Sequence, residues 1–196
     1  MNEVEFANYK KSVLEKGDKS KKGGEDEKIK KLNQVINTFS PLVTLSSCSG
    51  RVVLLNVSQK YNKKNSFWVF SSHDTVNTQT LWNSLKNFDG DGRVYLKFEG
   101  AILHVACKSL RVAKSLMEWS RYSGFTRSVI LSVEGKVVVE LISNPTMTIP
   151  VKNNGETLIT KKYLNELVSE GNELLEGTWE ILNKLKDNLR ETRVFS

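Results

Sequence analysis

The chain is poor in the residues that build metal centres and disulfide scaffolds. It has two cysteines, Cys48 and Cys107, far apart and in no CxxC pattern, and two histidines, His73 and His104. Such spacing gives neither a disulfide framework nor a zinc-ligand set, so reduced thiols and no metal are expected. No stretch approaches the roughly 20 apolar residues that cross a bilayer, so no membrane span is expected. The opening MNEVEFANYKK mixes acids with bases and lacks the basic-then-apolar order of a secretory signal, which points to the cytoplasm. A G-x-G-x-x-G fingerprint is missing too. Gly90 and Gly92 are spaced G-x-G, but in a turn between a helix and a strand, without the third glycine. Any nucleotide-like cofactor must therefore be held by an arrangement other than the dinucleotide fold.

What remains is ordinary globular material. Of 196 residues, 39% are hydrophobic and 26% charged, enough for one sizeable core, and one domain spanning 1–196 is expected. The net charge of +7 is uneven: residues 46–130 carry 12 basic against 5 acidic groups, whereas 131–196 carry 8 against 10. A basic middle third attracts a polyanion through counterion release, and nucleic acid is the commonest one in the cytosol; a merely high-pI protein is the alternative.

The pattern predicts a helix over 4–15, then a basic loop of about 16–26 in KGDKSKKGGEDE, whose three glycines and eight charges cannot bury a core. Ile29, Leu32, Val35, Ile36 and Phe39 recur at helical spacing up to Ser40-Pro41. Arg51–Val57 and Ser66–Ser71 read as a hairpin, and Leu81, Trp82, Leu85 and Phe88 as a helix. Arg93–Glu99 and Ala101–Cys107 read as a second strand pair around Gly100. Ser109 suits an N-cap and Gly124 a helix C-terminus, and a third hairpin turns at Glu134-Gly135. From Thr160 a long C-terminal helix follows, with Gly171 and Gly177 as its expected weak points. The class is α+β: a mixed, largely antiparallel sheet of hairpin-plus-helix units with flanking helices. The β-β-α order recurs over 51–88 and 93–124, which suggests an internal duplication.

The most unusual run is Ser46-Ser47-Cys48-Ser49-Gly50-Arg51. Hydroxyls and amides donate to anions, glycine admits a close ligand, and a guanidinium grips a carboxylate or phosphate through two parallel bonds. The alternative is a strand-entry turn whose serines satisfy their own backbone. His73, at a strand end beside Asp74, is the stronger candidate base, whereas His104 within AILHVAC reads as a core histidine. Cys48 beside a histidine would be a nucleophile. Glu99 suits a ribose or an amine, and Phe67, Trp68, Trp82 and Trp119 offer rings for stacking a base or packing a core.

The order KGDKSKKGGEDE, SSCSGR, a Trp-containing strand ending in SSH, KFEGAILHVAC, SGF and TKKYLNELV resembles the tRNA wybutosine-synthesising methyltransferase family, the third enzyme of that pathway. The resemblance runs from about Lys16 to about Leu167. It falls on Lys16, Asp18, Ser20, Gly23 and Asp26, on Ser46 to Arg51, on Trp68, His73 and Glu99, on Leu103, His104 and Val105, and on Ser123, Gly124 and Phe125. Departures are Gly100 in place of the family's usual proline, Val129 in place of glycine and Leu45 in place of threonine.

The resemblance implies a non-Rossmann enzyme that uses S-adenosyl-L-methionine to methylate N4 of the 7-aminocarboxypropyl-demethylwyosine base beside the anticodon of phenylalanine tRNA. The expected roles are a base in His73 or His104 and a cofactor site in Ser47, Cys48, Ser49, Gly50, Arg51 and Glu99. Lys16, Asp18, Ser20, Lys22 and Trp68 are expected to meet the tRNA. Two rivals are a non-catalytic RNA-binding module with a basic face and a Cys48–histidine hydrolase. Nothing in the pattern specifies an oligomeric state.

Overall fold

The computed structural model describes residues 1–16, 26–57, 66–192 and 195. In chain order the elements are α1 (Glu3–Lys16), α2 (Glu27–Thr38), β1 (Leu42–Cys48), β2 (Arg51–Val57), β3 (Phe67–Ser72), α3 (Thr78–Lys86), β4 (Arg93–Glu99), β5 (Ile102–Cys107), α4 (Leu110–Ser123), β6 (Arg127–Ser132), β7 (Val137–Ile142), β8 (Met147–Asn153), β9 (Glu156–Thr157) and α5 (Lys161–Glu191). The class is α+β, with every strand pair antiparallel. Two compact units emerge. One comprises Met1–Ser49, Ala101–Asn144 and Thr178–Ser196, and the other Gly50–Gly100 and Pro145–Gly177.

The first unit holds the sheet β1-β5-β7-β6. Its core gathers Ile29, Leu32 and Ile36 of α2, Leu42 of β1, Leu103, Val105 and Cys107 of β5, Leu116 of α4, and Leu182, Leu185 and Leu189 of α5. On the other face of the sheet, Phe6 of α1 packs with Val43 and Ala106. Helix ends follow local chemistry. Asn2 and Glu5 cap α1 reciprocally, at 2.9 Å each way. Ser109 caps α4, and Gly124 closes it with φ of +113°, a conformation that a side chain disfavours.

The second unit holds the sheet β3-β2-β4-β8-β9. Val94, Leu96 and Phe98 of β4 are buried at alternate positions, as a half-covered strand requires, whereas Val52, Val53 and Leu54 of the neighbouring β2 are all buried. Lys152 of β8 is 4% exposed, and its ammonium donates to the carbonyls of Leu85 (3.0 Å) and Phe88 at the end of α3. A buried cation thus satisfies carbonyls that the helix cannot bond internally.

Three expectations change. Gly100 does not turn a hairpin: β4 pairs with β2 and β8, whereas β5 pairs with β1 and β7, so the chain leaves one sheet and enters the other there. Gly100 and Ala101 would be long enough for a tight hairpin, so the pairing is decided by which strands β4 and β5 meet rather than by loop length. The proposed duplication falls with it, because β2 and β3 are neighbours in one sheet while β4 and β5 are not. The polar strand β8 is an addition to the sequence pattern. Its Pro150 lies opposite Tyr95, beside a register shift, and the short β9 bonds only Lys152 and Asn153, so at Pro150 the strand is a free edge.

The third change concerns α5, which runs unbroken through both glycines. At Gly171 an added Cβ would stand 2.2 Å from Cζ of the buried Phe98 ring, so hydrogen is the only side chain that fits; at Gly177 an added Cβ meets nothing within 4 Å. Opposite effects follow. Gly171→Ala should lower unfolding free energy by about 1–3 kcal/mol through overpacking. Gly177→Ala should raise it by about 0.5–1 kcal/mol through helix propensity. Urea denaturation of both variants checks the pair, and equal effects would refute the assigned role of Phe98.

Candidate active site

The SSCSGR run is not one turn. Ser46, Ser47 and Cys48 belong to β1, and only Ser49 and Gly50 link it to β2. Strand alternation then separates the side chains. Toward α2, Asn37 exchanges two bonds with Thr44 (2.8 and 2.9 Å), and Asn33 donates to the Ser47 hydroxyl at 2.7 Å. Asp26, the N-cap of α2, accepts from the Ser49 amide at 3.2 Å and also from its hydroxyl. Ser49 is fully buried, so its polar atoms fasten the strand end to the helix.

Ser46 points the other way and meets His104, whose Nδ1 lies 2.8 Å from the Ser46 hydroxyl. His104 is therefore not a core histidine: its side chain is 30% exposed, and Nε2 lies 2.8 Å from Glu140. Leu103 and Val105 enter the core, and period-two alternation turns His104 away from it. Both ring nitrogens are taken by Ser46 and Glu140, which removes His104 as partner for a Cys48 nucleophile. Burial pushes the Cys107 thiol up to about 12, so it stays protonated.

In the second unit, Arg51 and Glu99 are direct cross-strand partners of β2 and β4. The Arg51 Nε donates to Glu99 at 2.6 Å and the Lys97 ammonium to its other oxygen at 2.5 Å. Burial alone would raise the Glu99 carboxyl, but hydrogen bonds and charge from Lys97 and Arg51 outweigh it and hold the group below the usual carboxylate range. The guanidinium also lies over the half-exposed Trp68 ring, 4.5 Å from its centroid. Its terminal nitrogens make no hydrogen bond among the described residues. His73 Nδ1 lies 2.9 Å from the Gly50 carbonyl, which only accepts, so Nδ1 carries the hydrogen and Nε2 the lone pair. Gly50 itself has φ of +96°.

The sequence candidates thus divide by unit: Ser47, Cys48, Ser49 and His104 in one, Gly50, Arg51, Trp68, His73 and Glu99 in the other. Lys16 is the exposed last residue of α1, while Asp18, Ser20 and Lys22 lie outside the described residues. Glu140 and Lys97 were not singled out by motif; the signal was register, with Glu140 opposite His104 and Lys97 two residues before Glu99 on the same face of β4. Among the described residues no group of three His, Cys, Asp or Glu side chains could hold a metal ion, and no helix is long and apolar enough to cross a membrane.

The Glu99 cluster gives a signed pH dependence. A carboxyl whose folded pKa is depressed contributes stability that is present above the unfolded pKa and lost as pH falls through the folded one. Glu99→Gln should therefore melt below wild type at pH 7, where it leaves Arg51 and Lys97 as unneutralised neighbours. That gap should close as the pH drops through and below the ordinary carboxylate range. Thermal melts from pH 7 to pH 3 check it; a gap independent of pH would rule out the charged pairing.

Comparison with known proteins completes the picture. The family Methyltransferase TYW3 matches residues 8–191. The tRNA(Phe) 7-((3-amino-3-carboxypropyl)-4-demethylwyosine(37)-N(4))-methyltransferase of Thermococcus sibiricus is 34% identical over 97% of this chain and 98% of its own. The protein of the same name from Methanocaldococcus jannaschii is 32% identical over 86% and 88%. Among solved structures, the PH1069 protein from Pyrococcus horikoshii superposes with a TM-score of 0.88 at 29% identity, covering 95% of this chain and 97% of that one. Methyl transfer requires a methyl donor. With two antiparallel sheets in place of a parallel Rossmann sheet, and with the family's match spanning nearly all of its length, the chain belongs to the TYW3 methyltransferase family.

Proposed function

We propose that the chain transfers a methyl group from S-adenosyl-L-methionine to N4 of the 7-aminocarboxypropyl-demethylwyosine base of phenylalanine tRNA, in the cytoplasm. The observation that carries this beyond family membership is Arg51: its Nε is spent on Glu99 and its plane on Trp68, while its terminal nitrogens bond no described residue. A guanidinium so held is preorganised for a carboxylate. The donor's amino-acid end carries a carboxylate and an ammonium, and its adenine has a π-face. Arg51, Glu99 and Trp68 offer a partner for each, so the residues fit the group. When bound, it supplies an already activated methyl group.

The residues of the chain then bind, orient and deprotonate. Arg51 and Glu99 hold the charged end of the donor. Ser49, buried against Asp26, fastens the end of β1 to α2. Lys16 with Asp18, Ser20 and Lys22 meets the tRNA. Alignment of the nucleophilic nitrogen supplies much of the rate, and an imidazole takes its proton. His73, in the same unit as Arg51 and Glu99, is the candidate, held by the bond from its Nδ1 to the Gly50 carbonyl.

Calorimetric titration with S-adenosyl-L-methionine tests the assignment. Losing charge-assisted bonds of about 1.5–3 kcal/mol, Arg51→Ala should bind about 10- to 150-fold more weakly. Arg51→Lys should fall between, since it keeps the charge and loses the fork. Undiminished affinity in Arg51→Ala would refute the role. Salt-sensitive tRNA binding by a wild-type chain that ignores the donor would favour the RNA-binding module instead.

A further inference from the structure

The sheet of the second unit has two unlike faces. Phe98 of β4 meets Gly171 of α5, and Lys152 of β8, the register partner of Val94, reaches the end of α3. The helical segments of this unit thus lie on the face of Val94, Leu96 and Phe98. The opposite face carries Arg51, Lys97, Glu99 and Trp68, and strand alternation puts Leu55, Tyr95 and Arg93 beside them.

On that face Trp68 stands opposite Leu55, Leu55 opposite Tyr95, and Tyr95 opposite Pro150, so one apolar row crosses four strands. The solvent side of an antiparallel sheet is ordinarily polar, and none of these four side chains belongs to the buried core. Trp68 is 48% exposed, Pro150 is exposed, and Leu55 and Tyr95 are half-buried.

Charge flanks the row. Tyr95 lies between Arg93 and Lys97, two residues from each on the same side of β4. The Lys97 ammonium is spent on Glu99, whereas Arg93 has one long bond, from Nε to Asn153 at 3.4 Å, and no ion pair among the described residues. On β2, β3 and β4 the face holds three cations, Arg51, Arg93 and Lys97, against the carboxylate of Glu99. Glu156, opposite Asn153 on β9, is the further acid of the face and stands at its far edge. A ring between cations matches a single-stranded nucleic acid, whose bases stack while its phosphates pair with arginine and lysine.

We infer that Leu55, Tyr95 and Arg93 form a platform for the anticodon loop of the tRNA, where a nucleotide near the reacting one stacks on Tyr95 and its phosphate meets Arg93. This rests on the function proposed above, in which Arg51, Glu99 and Trp68 serve the donor. Tyr95 lies four residues before Glu99 on β4, roughly 13 Å at the rise of a strand. Platform and donor site therefore share one face of one sheet, a short span of loop apart.

The experiment titrates the full chain with phenylalanine tRNA bearing the unmethylated base, followed by fluorescence anisotropy, and separately with S-adenosyl-L-methionine by calorimetry. Tyr95→Ala should weaken tRNA binding about 5- to 150-fold, the usual worth of one stacked base, and Tyr95→Phe should restore it. Arg93→Ala, at an exposed position, should weaken it and lower the slope of log affinity against log salt by about 1. Donor affinity should stay within about twofold of wild type in all three, because none touches the donor's charged end.

Wild-type tRNA affinity and salt slope in both alanine variants would overturn the proposal, as would a parallel loss of donor binding or equal competition by a blunt RNA duplex. Self-association abolished by Tyr95→Ala, with tRNA affinity unchanged, would make the face a contact between copies and overturn it too. A wild-type chain that ignores the donor overturns the function above. Normal donor binding with tRNA affinity indifferent to Tyr95 and Arg93 overturns this proposal alone.

Discussion

Helix α2 holds strand β1 by side-chain hydrogen bonds, and the character of the SSCSGR run follows from that grip. Asp26, Asn33 and Asn37 sit at helical positions i, i+7 and i+11 and reach Ser49, Ser47 and Thr44. Each satisfied pair is worth only about 0.5–1.5 kcal/mol, but leaving one member buried and unpaired costs about 1–3 kcal/mol. Register is therefore specified. A one-residue slip would put Ser46 and Cys48 against α2 and remove the hydroxyl from His104.

The two halves of the run use charge in opposite ways. Beyond Gly50, Arg51 enters a cluster of two cations and one carboxylate, whose surplus positive charge suits an anionic group. Before Gly50, Ser46 enters a row with His104 of β5 and Glu140 of β7 that carries an acidic group and no lysine or arginine at ion-pair distance among the described residues. The six residues thus meet two different polar environments because the strand ends between them.

Local rules captured the helices and two of the hairpins well, since caps such as Ser109 and Gly124 and the apolar spacing of α2 act within a few residues. Long-range pairing was less legible. The strands around Gly100 read as a hairpin because their patterns alternate alike, yet partner choice depends on which sheet each face can cover, a property of the whole fold. His104 read as core because its neighbours are apolar; its polar partners come from β1 and β7, distant in sequence. Gly171 read as a flaw because helix propensity is local, while the ring that requires it belongs to β4. The family's motifs fell on Arg51, His73 and Glu99, which the structure places in one unit, but not on Glu140, which meets His104 only through the pairing of β5 with β7.

Each unit is stitched from distant stretches of chain. Pairing of β1 with β5 must close a loop that contains β2, β3, α3 and β4, and the first unit takes its last core leucines from the end of α5. Closing such loops costs entropy before any contact repays it, so a high-contact-order topology of this kind folds slowly. During synthesis β1 must wait for β5, and the seat for Leu182, Leu185 and Leu189 stays unfilled until the ribosome has delivered them. A nascent chain therefore keeps part of its apolar sheet face uncovered until translation is nearly complete, the interval in which a chaperone would have most to do.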